Sequence, residues 1–251
     1  MNRILFEKDE IKDGVATFGG ERAAHVLDVL HGEVGQILKT GEIDGPIGSG
    51  EIIELSNNRI SETETVETRV SVRCHHTEPS LRPWVDLILA PPRPRVMKRL
   101  LPQLATLGVG KIVLVGAKKV EKDFWGATLL KPENYHPLLI DGLMQAGTSI
   151  LPTIELRRNF RKFIREELDG LLPSRNRIVA HPYDAKDVRP KTEDGMSLTL
   201  AIGPEGGWTD EEVALLEEHG FSRYSLGSRI LRTDTATIAL LAQLMLQLDV
   251  G

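Results

Sequence analysis

The amino-acid sequence predicts an α/β protein with two domains, residues 1–78 and 79–251. Three observations support this prediction. From residue 85 onward, short apolar strands alternate with helices, a pattern typical of a sheet covered by helices. Near the C-terminus, two strands each end in a glycine loop that leads into a helix, as in ligand sites at the carboxyl ends of strands. Before residue 78, many short segments divided by glycines, together with one helix, predict a small β-barrel.

Composition narrows the class of protein. Hydrophobic residues make up 41% of the chain and charged residues 27%, which is ordinary for a globular protein. The single cysteine, Cys74, cannot form an internal disulfide, and no metal-ligand spacing surrounds it, so we expect a reducing, cytoplasmic setting and no metal. The first ten residues lack the apolar core of a signal peptide, and the apolar segment 238–248 is too short to cross a bilayer. A formal charge of −5 argues against a general polyanion binder.

The first domain is predicted from short periodic segments. A strand is expected at 4–6 and a helix at 21–30, followed by short segments at 36–39, 50–55, 59–61 and 65–74. In the last of these, Val70 and Val72 alternate with Arg69, Ser71 and Arg73, which predicts a half-buried strand. The polar stretch 75–83 carries two prolines and is predicted to be a linker. By its residues alone, this domain could be a β-rich accessory domain that binds no nucleic acid.

The second domain opens with a predicted parallel βαβ unit. A strand at 85–90, a helix at 96–107 and a strand at 112–115 have the spacing of such a unit. Helices are expected at 131–147 and 160–168, and a further strand at 177–180 places His181 at its tip.

The C-terminal stretch carries the clearest signals. A buried strand at 198–202 runs into Gly203-Pro-Glu-Gly-Gly207, which forces a sharp turn. Thr209 is a predicted N-cap for a helix that ends at His219. A second strand at 222–226, the loop 227–235 and an apolar helix at 236–248 follow. Glycines at two strand ends let backbone approach a ligand closely, although ordinary turns use glycine as well.

Two of these segments resemble a known family. Ile202-Gly-Pro-Glu-Gly-Gly-Trp-Thr and Leu226-Gly-Ser-Arg-Ile-Leu-Arg-Thr-Asp-Thr-Ala236 resemble the 16S ribosomal RNA uridine-N3 methyltransferases, the RsmE-type branch of the SPOUT superfamily. The resemblance implies a C-terminal SPOUT domain with a trefoil knot, bound S-adenosylmethionine, and a homodimer that acts on ribosomal RNA or the small subunit. Ala24-His-Val-Leu-Asp-Val-Leu30 and Gly35-Gln-Ile-Leu resemble the PUA-like RNA-binding barrel of the same family.

The resemblance implies a cofactor site at the strand ends. Backbone at the glycine loops can bind the adenine edge, and apolar residues after the second strand can cover its faces. No GxGxxG or Walker loop is present, which disfavours an unrelated nucleotide-binding enzyme. The predicted cofactor-binding residues are Ala180, His181, Ile202, Gly203, Pro204, Gly206, Leu226, Gly227, Ser228, Ile230 and Leu231.

Methylation of uracil N3 requires removal of its proton, so a base or a cation near the developing oxyanion is needed. Arg232 is the predicted cation, and Glu205 and Asp234 are base candidates, although Asp234 could instead be the N-cap of the last helix. Candidate RNA-binding residues and basic clusters are Arg93, Arg95, Lys98, Arg99, Arg229, Lys118, Lys119 and Lys122. A further basic set is interpreted as a solvated helix face: Arg157, Arg158, Arg161, Lys162 and Arg165.

The substrate half departs from the family pattern. Arg93 is kept after the first strand of the second domain, but Pro94, Arg95 and Val96 follow it. Gln103, Thr106 and Thr148 stand where the family usually carries charged residues. These departures keep two alternatives open: a methyltransferase for a different RNA, and a ribosome assembly factor that binds RNA without catalysis.

Overall fold

The computed structural model describes residues 2–58, 67–183 and 198–248, and the chain forms two compact units. Unit 1 comprises Met1–Leu81 and Leu143–Leu151, and unit 2 comprises Arg82–Gly142 and Pro152–Gly251. The segment Leu143–Leu151 interrupts the sequence of unit 2 but belongs to unit 1. Backbone hydrogen bonds hold it there, because Asn2 N and Arg3 N both donate to the Met144 carbonyl at 3.0 Å. Local sequence patterns carried no sign of this insertion. The short segment predicted at 59–61 lies outside the described residues.

Unit 1 is built on one mixed sheet of six strands in the order β1-β4-β5-β6-β3-β2. β1 pairs with β4 in parallel, and the other pairs are antiparallel. Val70 and Val72 are fully buried while Arg69 and Arg73 are exposed, which confirms the predicted alternation at these four positions. Ser71 is the exception, because it is 8% exposed and its hydroxyl lies 3.0 Å from that of Thr17 on β3. The strands are β1 Ile4–Phe6, β2 Ile11–Lys12, β3 Val15–Phe18, β4 Ile37–Glu42, β5 Ile47–Asn58 and β6 Glu67–Glu78.

Two predictions for unit 1 are wrong in detail. The stretch 75–83 is not wholly a linker, because β6 continues to Glu78 and the Thr40 hydroxyl lies 2.8 Å from His76 Nε2. The predicted helix at 21–30 is a short α-helix, α1 Gly20–Ala24, continued by the π-helical turn His25–Val29. A π-turn holds more residues than an α-turn and rotates later side chains away from the core. Leu30 is accordingly exposed, while Val26 is buried.

Unit 2 is an α/β unit with six parallel strands in the order β12-β10-β11-β7-β8-β9, which confirms the predicted α/β class. The strands are β7 Val85–Leu89, β8 Val109–Val115, β9 Thr153–Arg157, β10 Asn176–Ala180, β11 Leu198–Ile202 and β12 Phe221–Tyr224. The helices are α2 Pro94–Thr106, α3 Pro132–Ala146, α4 Phe160–Lys162, α5 Leu168–Leu171, α6 Asp210–Glu218 and α7 Thr233–Gln247. A π-helical turn at Phe163–Glu167 lies between α4 and α5, and 3₁₀ turns lie at Lys122–Gly126 and Thr128–Leu130. Unit 1 also has a 3₁₀ turn, at Lys8–Glu10.

The sheet register fixes where loops of unit 2 emerge. Ala180 pairs with Tyr224, and Ile202 at the end of β11 pairs with Leu89 at the end of β7. All these strands are parallel, so their following loops leave the same edge of the sheet. Every residue of β11 is buried, as the apolar run predicted.

The C-terminal helix begins earlier than predicted. α7 starts at Thr233 rather than at 236, and Arg232 occupies the N-cap position without a side-chain cap. Asp234 therefore lies in the first turn, where a carboxylate interacts favourably with the helix dipole. The N-cap role considered for Asp234 is wrong. The Thr237 hydroxyl, which donates to the Thr233 carbonyl at 2.7 Å, adds to this first turn.

The basic set at 157–165 is not one helix face. Arg157 is the last residue of β9, a strand that the sequence did not predict, and Arg158 precedes the helix. Arg157 donates to Glu167 at 2.7 Å and Glu155 at 3.0 Å.

A buried arginine anchors the opposite end of β10. The side chain of Arg177 is 2% exposed and bonds Asp169 at 2.6 Å and the His219 carbonyl at 2.9 Å. The hydrogen bond from Arg177 keeps the pKa of Asp169 below its usual value. This contact joins α5 to the end of α6 at the amino edge of the sheet.

We predict that Gly142→Ala destabilises the protein. A Cβ on Gly142 would stand 2.1 Å from the Pro102 carbonyl oxygen and 2.9 Å from the Ala105 Cβ, so α3 would have to move away from α2. We expect the free energy of unfolding to fall by about 1–3 kcal/mol in urea denaturation.

Gly170→Ala in α5 is the matched control. Its added Cβ meets nothing within 4 Å, so the helix preference of alanine should leave stability unchanged or raise it by up to about 1 kcal/mol. Equal stabilities for the two variants would contradict the close packing of α2 against α3.

Candidate active site

A cleft of about 530 Å³ opens at the carboxyl ends of β10, β11 and β12. The loops that follow these three strands form most of it, and the first turns of α7 close one side. The cleft lies within unit 2, at the edge where parallel α/β sheets bind their ligands.

The glycine loop after β11 is held by a buried carboxylate. Gly207 has φ +69° and donates to the Pro204 carbonyl at 2.8 Å, which closes a tight turn. Thr209 caps α6 as predicted, in a capping box with Glu212. Glu212 is 6% exposed and accepts hydrogen bonds from Thr209 N at 2.8 Å and Lys118 N at 2.7 Å. The loop, the start of α6 and the loop after β8 are thus joined at one carboxylate.

The loop after β12 presents bare backbone and apolar side chains. Gly227 has φ +112°, a conformation that L-residues rarely adopt, and the position of an added Cβ is open. Ser225 Oγ accepts a hydrogen bond from Gly227 N at 3.1 Å. Ile230 is 73% exposed and Leu231 37% exposed, although both are apolar and line the cleft. Such side chains gain from a ligand that covers them.

The structure brings most of the predicted cofactor-binding residues together. Ser228 is outside the lining of the cleft. The other ten predicted cofactor-binding residues line it: Ala180, His181, Ile202, Gly203, Pro204, Gly206, Leu226, Gly227, Ile230 and Leu231.

The three catalytic candidates are divided between two places. Glu205 lines the cleft, is exposed, and accepts a hydrogen bond from Arg93 N at 3.3 Å. Arg232 is exposed between Leu231 and Thr233, which both line the cleft, but is not itself part of the lining. Asp234 lies in a second groove between α2 and α7, where its carboxylate is 3.5 Å from Arg99 Nη2.

The structure brings two of the four candidate RNA-binding residues, Arg229 and Arg93, to the cleft. Arg229 lines it, and Arg93 at the start of α2 is 3.7 Å from a Glu121 carboxylate oxygen. Arg95 and Lys98 are exposed on α2. These positions stay predictions, since a surface cation is compatible with many partners.

Several lining residues were not predicted from the sequence. Tyr224 and Ser225 immediately precede Leu226, and Trp208 follows the glycine loop, so their neighbours in the chain could have indicated them. Lys119 was predicted only as part of a basic cluster, and its place in the cleft comes from a distant contact: it reaches the cleft from the loop after β8 and donates to the Gly206 carbonyl at 2.8 Å.

Two of the three departures from the family pattern have structural partners. Thr106 donates to the Gly142 carbonyl at 3.1 Å within unit 2, and Thr148 lies 2.9 Å from the Ser80 hydroxyl within unit 1. Gln103 lines the groove between α2 and α7. None of the three lines the cleft.

These features define a class of protein. A parallel α/β sheet carries a cleft with glycine backbone and apolar walls at its carboxyl edge, as in enzymes that bind a nucleoside-type cofactor there.

Comparison with known proteins gives the particular family. The family model for RNA methyltransferase domains matches residues 79–245. The protein named ribosomal RNA small subunit methyltransferase E of Treponema pallidum (strain Nichols) is 33% identical over 244 residues, which cover 95% of this chain and 88% of the relative. The chain belongs to this family of RNA methyltransferases.

Solved structures share the fold. A putative methyltransferase from Legionella pneumophila, solved with bound S-adenosylmethionine, has a TM-score of 0.74 at 24% identity and covers 98% of this chain and 97% of its own. A ribosomal RNA small subunit methyltransferase E from Neisseria gonorrhoeae, also bound to S-adenosylmethionine, has a TM-score of 0.71 at 20% identity with the same coverage.

Proposed function

We propose that this protein transfers a methyl group from S-adenosylmethionine to N3 of a uridine in 16S ribosomal RNA. The observation that carries the proposal is the cleft at the ends of β10, β11 and β12, where both family-like glycine loops meet. The relative that is 33% identical is named for methylation of small-subunit ribosomal RNA, and two similar folds were solved with the cofactor. Ribosomal RNA as substrate corresponds to a cytoplasmic location.

The residues of the cleft fit the cofactor. The space beside the Gly227 backbone is open and can hold the planar adenine of the cofactor. A side chain at this position would block that space. Ile230 and Leu231 offer apolar surface for an adenine face, and Leu226 lies beside them. The volume of about 530 Å³ is in the range of small-molecule sites. We infer that Ala180, His181, Ile202, Gly203, Pro204 and Gly206 form the remaining walls.

When bound, S-adenosylmethionine supplies an electrophilic methyl group. The chain must hold the uridine in line with it and remove the N3 proton. Glu205 is the base that we favour, because its carboxylate lines the cleft, whereas Asp234 lies beside Arg99 in the other groove. Arg232, at the rim between two lining residues, would stabilise negative charge on a uracil oxygen. Arg229 and the cations Arg93, Arg95 and Lys98 would hold RNA phosphates.

The proposal includes three finer features of the family. Unit 1 would be the PUA-like barrel that binds RNA, since its sheet combines a long antiparallel hairpin with short edge strands. Residues 79–251 would form the SPOUT domain, apart from the segment Leu143–Leu151 that belongs to unit 1, with α7 threaded to make the trefoil knot. The departures Gln103, Thr106 and Thr148 lie away from the cleft lining, which favours retained catalysis over a factor that binds RNA without it.

We also propose a homodimer through α2 and α7. The groove between these helices, about 410 Å³, is lined by apolar residues that include Val96, Leu100 and Ile238.

If the protein is a homodimer, light scattering should give twice the chain mass of 27.8 kDa. Ala242→Asp, in the groove, should shift the protein to monomers, while Ala214→Asp, equally exposed on α6, should not. A monomeric parent protein would contradict the dimer.

We predict that Gly227→Val abolishes S-adenosylmethionine binding while the fold survives. Valine would fill the open space beside the backbone and resist φ +112°. Calorimetry should show at least about a hundredfold loss of affinity, with circular dichroism unchanged, since a strained β-branched residue and a blocked contact act together.

Gly126→Val is a control outside the cleft, because an added Cβ there also meets nothing within 4 Å and φ lies outside the left-handed range. Unchanged cofactor affinity in a folded Gly227→Val variant would show that the cofactor does not bind at this loop.

For Arg232 we predict a defect in methyl transfer rather than in cofactor binding. Arg232→Ala should bind S-adenosylmethionine nearly as well as the parent and transfer methyl about a hundredfold more slowly or worse, as when one preorganised charge stabiliser is removed. Arg232→Lys should recover only part of the rate, because lysine lacks the planar fork.

The competing role is structural, in which Arg232 ties its loop to a carboxylate. Among the described residues, no carboxylate lies within 4.0 Å of Arg232, and this role would need a carboxylate from elsewhere in its own chain or from the other subunit. In that case Arg232→Ala would lower the melting temperature and the cofactor affinity together. A normal single-turnover rate would remove Arg232 from the catalytic residues.

A further inference from the structure

Two loops meet at the carboxyl edge of the sheet, beside the cleft. β8 and β9 end side by side, with Val115 paired to Arg157. Gly116 N then donates to the Arg157 carbonyl at 3.0 Å, and a Cβ on Gly116 would stand 2.0 Å from the Arg158 carbonyl oxygen. The backbones after the two strands are therefore in direct contact, and their side chains share one surface.

An arginine and a tryptophan from the two loops make a cation–π contact there. The guanidinium carbon of Arg158 lies over the indole of Trp125, 5.7 Å from the ring centroid, and Arg158 Nη2 donates to the Trp125 carbonyl at 3.3 Å. Arg158 is exposed and Trp125 is half-buried. A guanidinium backed by an aromatic ring is a planar, cationic platform of the kind on which unpaired RNA bases stack.

The same two loops and α4 carry further exposed cations. We call Lys118, Lys122, Trp125, Arg158 and Lys162 the Trp125 surface. Within residues 2–58, 67–183 and 198–248, no carboxylate lies within 4.0 Å of its four cations.

Neighbouring cations, by contrast, are paired: Arg157 contacts Glu155 and Glu167, and Arg161 contacts Glu211. Basic residues outnumber acidic ones in both 116–126 and 157–167, although the whole chain carries a formal charge of −5. The formal charge is +1 for 116–126, which has three basic and two acidic residues, and +3 for 157–167, which has five and two.

Two contacts join the Trp125 surface to the cleft. Lys119, between Lys118 and the rest of the loop, donates to the Gly206 carbonyl at 2.8 Å. Phe160, two residues after Arg158, packs on Trp208 with ring centroids 5.3 Å apart. A strand of RNA that leaves the cleft would meet this surface next.

We propose that the Trp125 surface binds the single-stranded RNA adjacent to the methylated nucleotide. One unpaired base stacks on the Arg158–Trp125 platform, and Lys118, Lys122 and Lys162 contact phosphates. An aromatic-backed platform, beside cations with no carboxylate partner among the described residues, matches a base next to its phosphates better than an acidic peptide. The identity of the RNA rests on the proposed function, whereas the binding itself does not.

The test is affinity for a mixed-sequence, single-stranded RNA of about 20 nucleotides over a range of salt. Lys122→Glu should weaken binding about tenfold at low salt and reduce the slope of log K against log salt by about one. Arg82→Glu is the control, because Arg82 is an exposed cation that precedes β7, at the opposite edge of the sheet. Arg158→Gln, a change on an exposed side chain, should also weaken binding about tenfold.

The outcomes separate this inference from the proposed function. Equal RNA affinities for Lys122→Glu and Arg82→Glu, in folded proteins, would overturn the RNA surface even if methyl transfer is intact. Lys122→Glu could instead lower the affinity for poly-glutamate and leave the affinity for RNA unchanged. That result would overturn the RNA-binding surface in favour of an acidic protein partner. Selective loss of RNA affinity supports the surface, even if the parent protein proves unable to bind S-adenosylmethionine.

Discussion

The carboxylate of Glu212 is buried at the start of α6 and accepts hydrogen bonds from three donors: the backbone N–H groups of Lys118 and Thr209 and the hydroxyl of Thr209. Burial of a carboxylate is unfavourable unless such bonds compensate for the lost water. These bonds fix the glycine loop after β11 against the loop after β8. The cleft and the Trp125 surface therefore share one anchor, although neither includes Glu212 in its lining.

From this anchor, the cleft is built mainly by backbone and apolar side chains. Gly207 and Gly227 adopt positive φ, and Ile230 and Leu231 expose apolar surface toward the same space. A site of this kind selects a ligand by shape and by main-chain hydrogen bonds, without a phosphate cradle. That agrees with a nucleoside cofactor whose reactive group is a sulfonium, and it leaves the cations of the carboxyl edge available for a polyanionic substrate.

Sequence reasoning located the C-terminal loops because their signals are local. The apolar run at 198–202 predicts a buried strand, the glycines that follow predict a turn, and Thr209 predicts a helix start. Each prediction needs only a few neighbouring residues. β9 escaped prediction since it is a half-exposed edge strand without an apolar run. The helical turn of α7 at Thr233 was missed because the preceding loop carries no preferred cap, as Arg232 occupies that position. Lys119 and the segment Leu143–Leu151 acquire their roles only through distant contacts, which no local pattern reports.

The most direct measurement of the central claim is a map of methylated nucleotides in 16S ribosomal RNA from cells with and without this gene. We expect one N3-methyluridine to be present in the parent cells, absent from the deletion strain and restored when the gene is returned. Loss of a methyl group at another atom or base would keep the methyltransferase and change its substrate. Identical methylation in the two strains would contradict the claim that the cleft catalyses methyl transfer to this RNA.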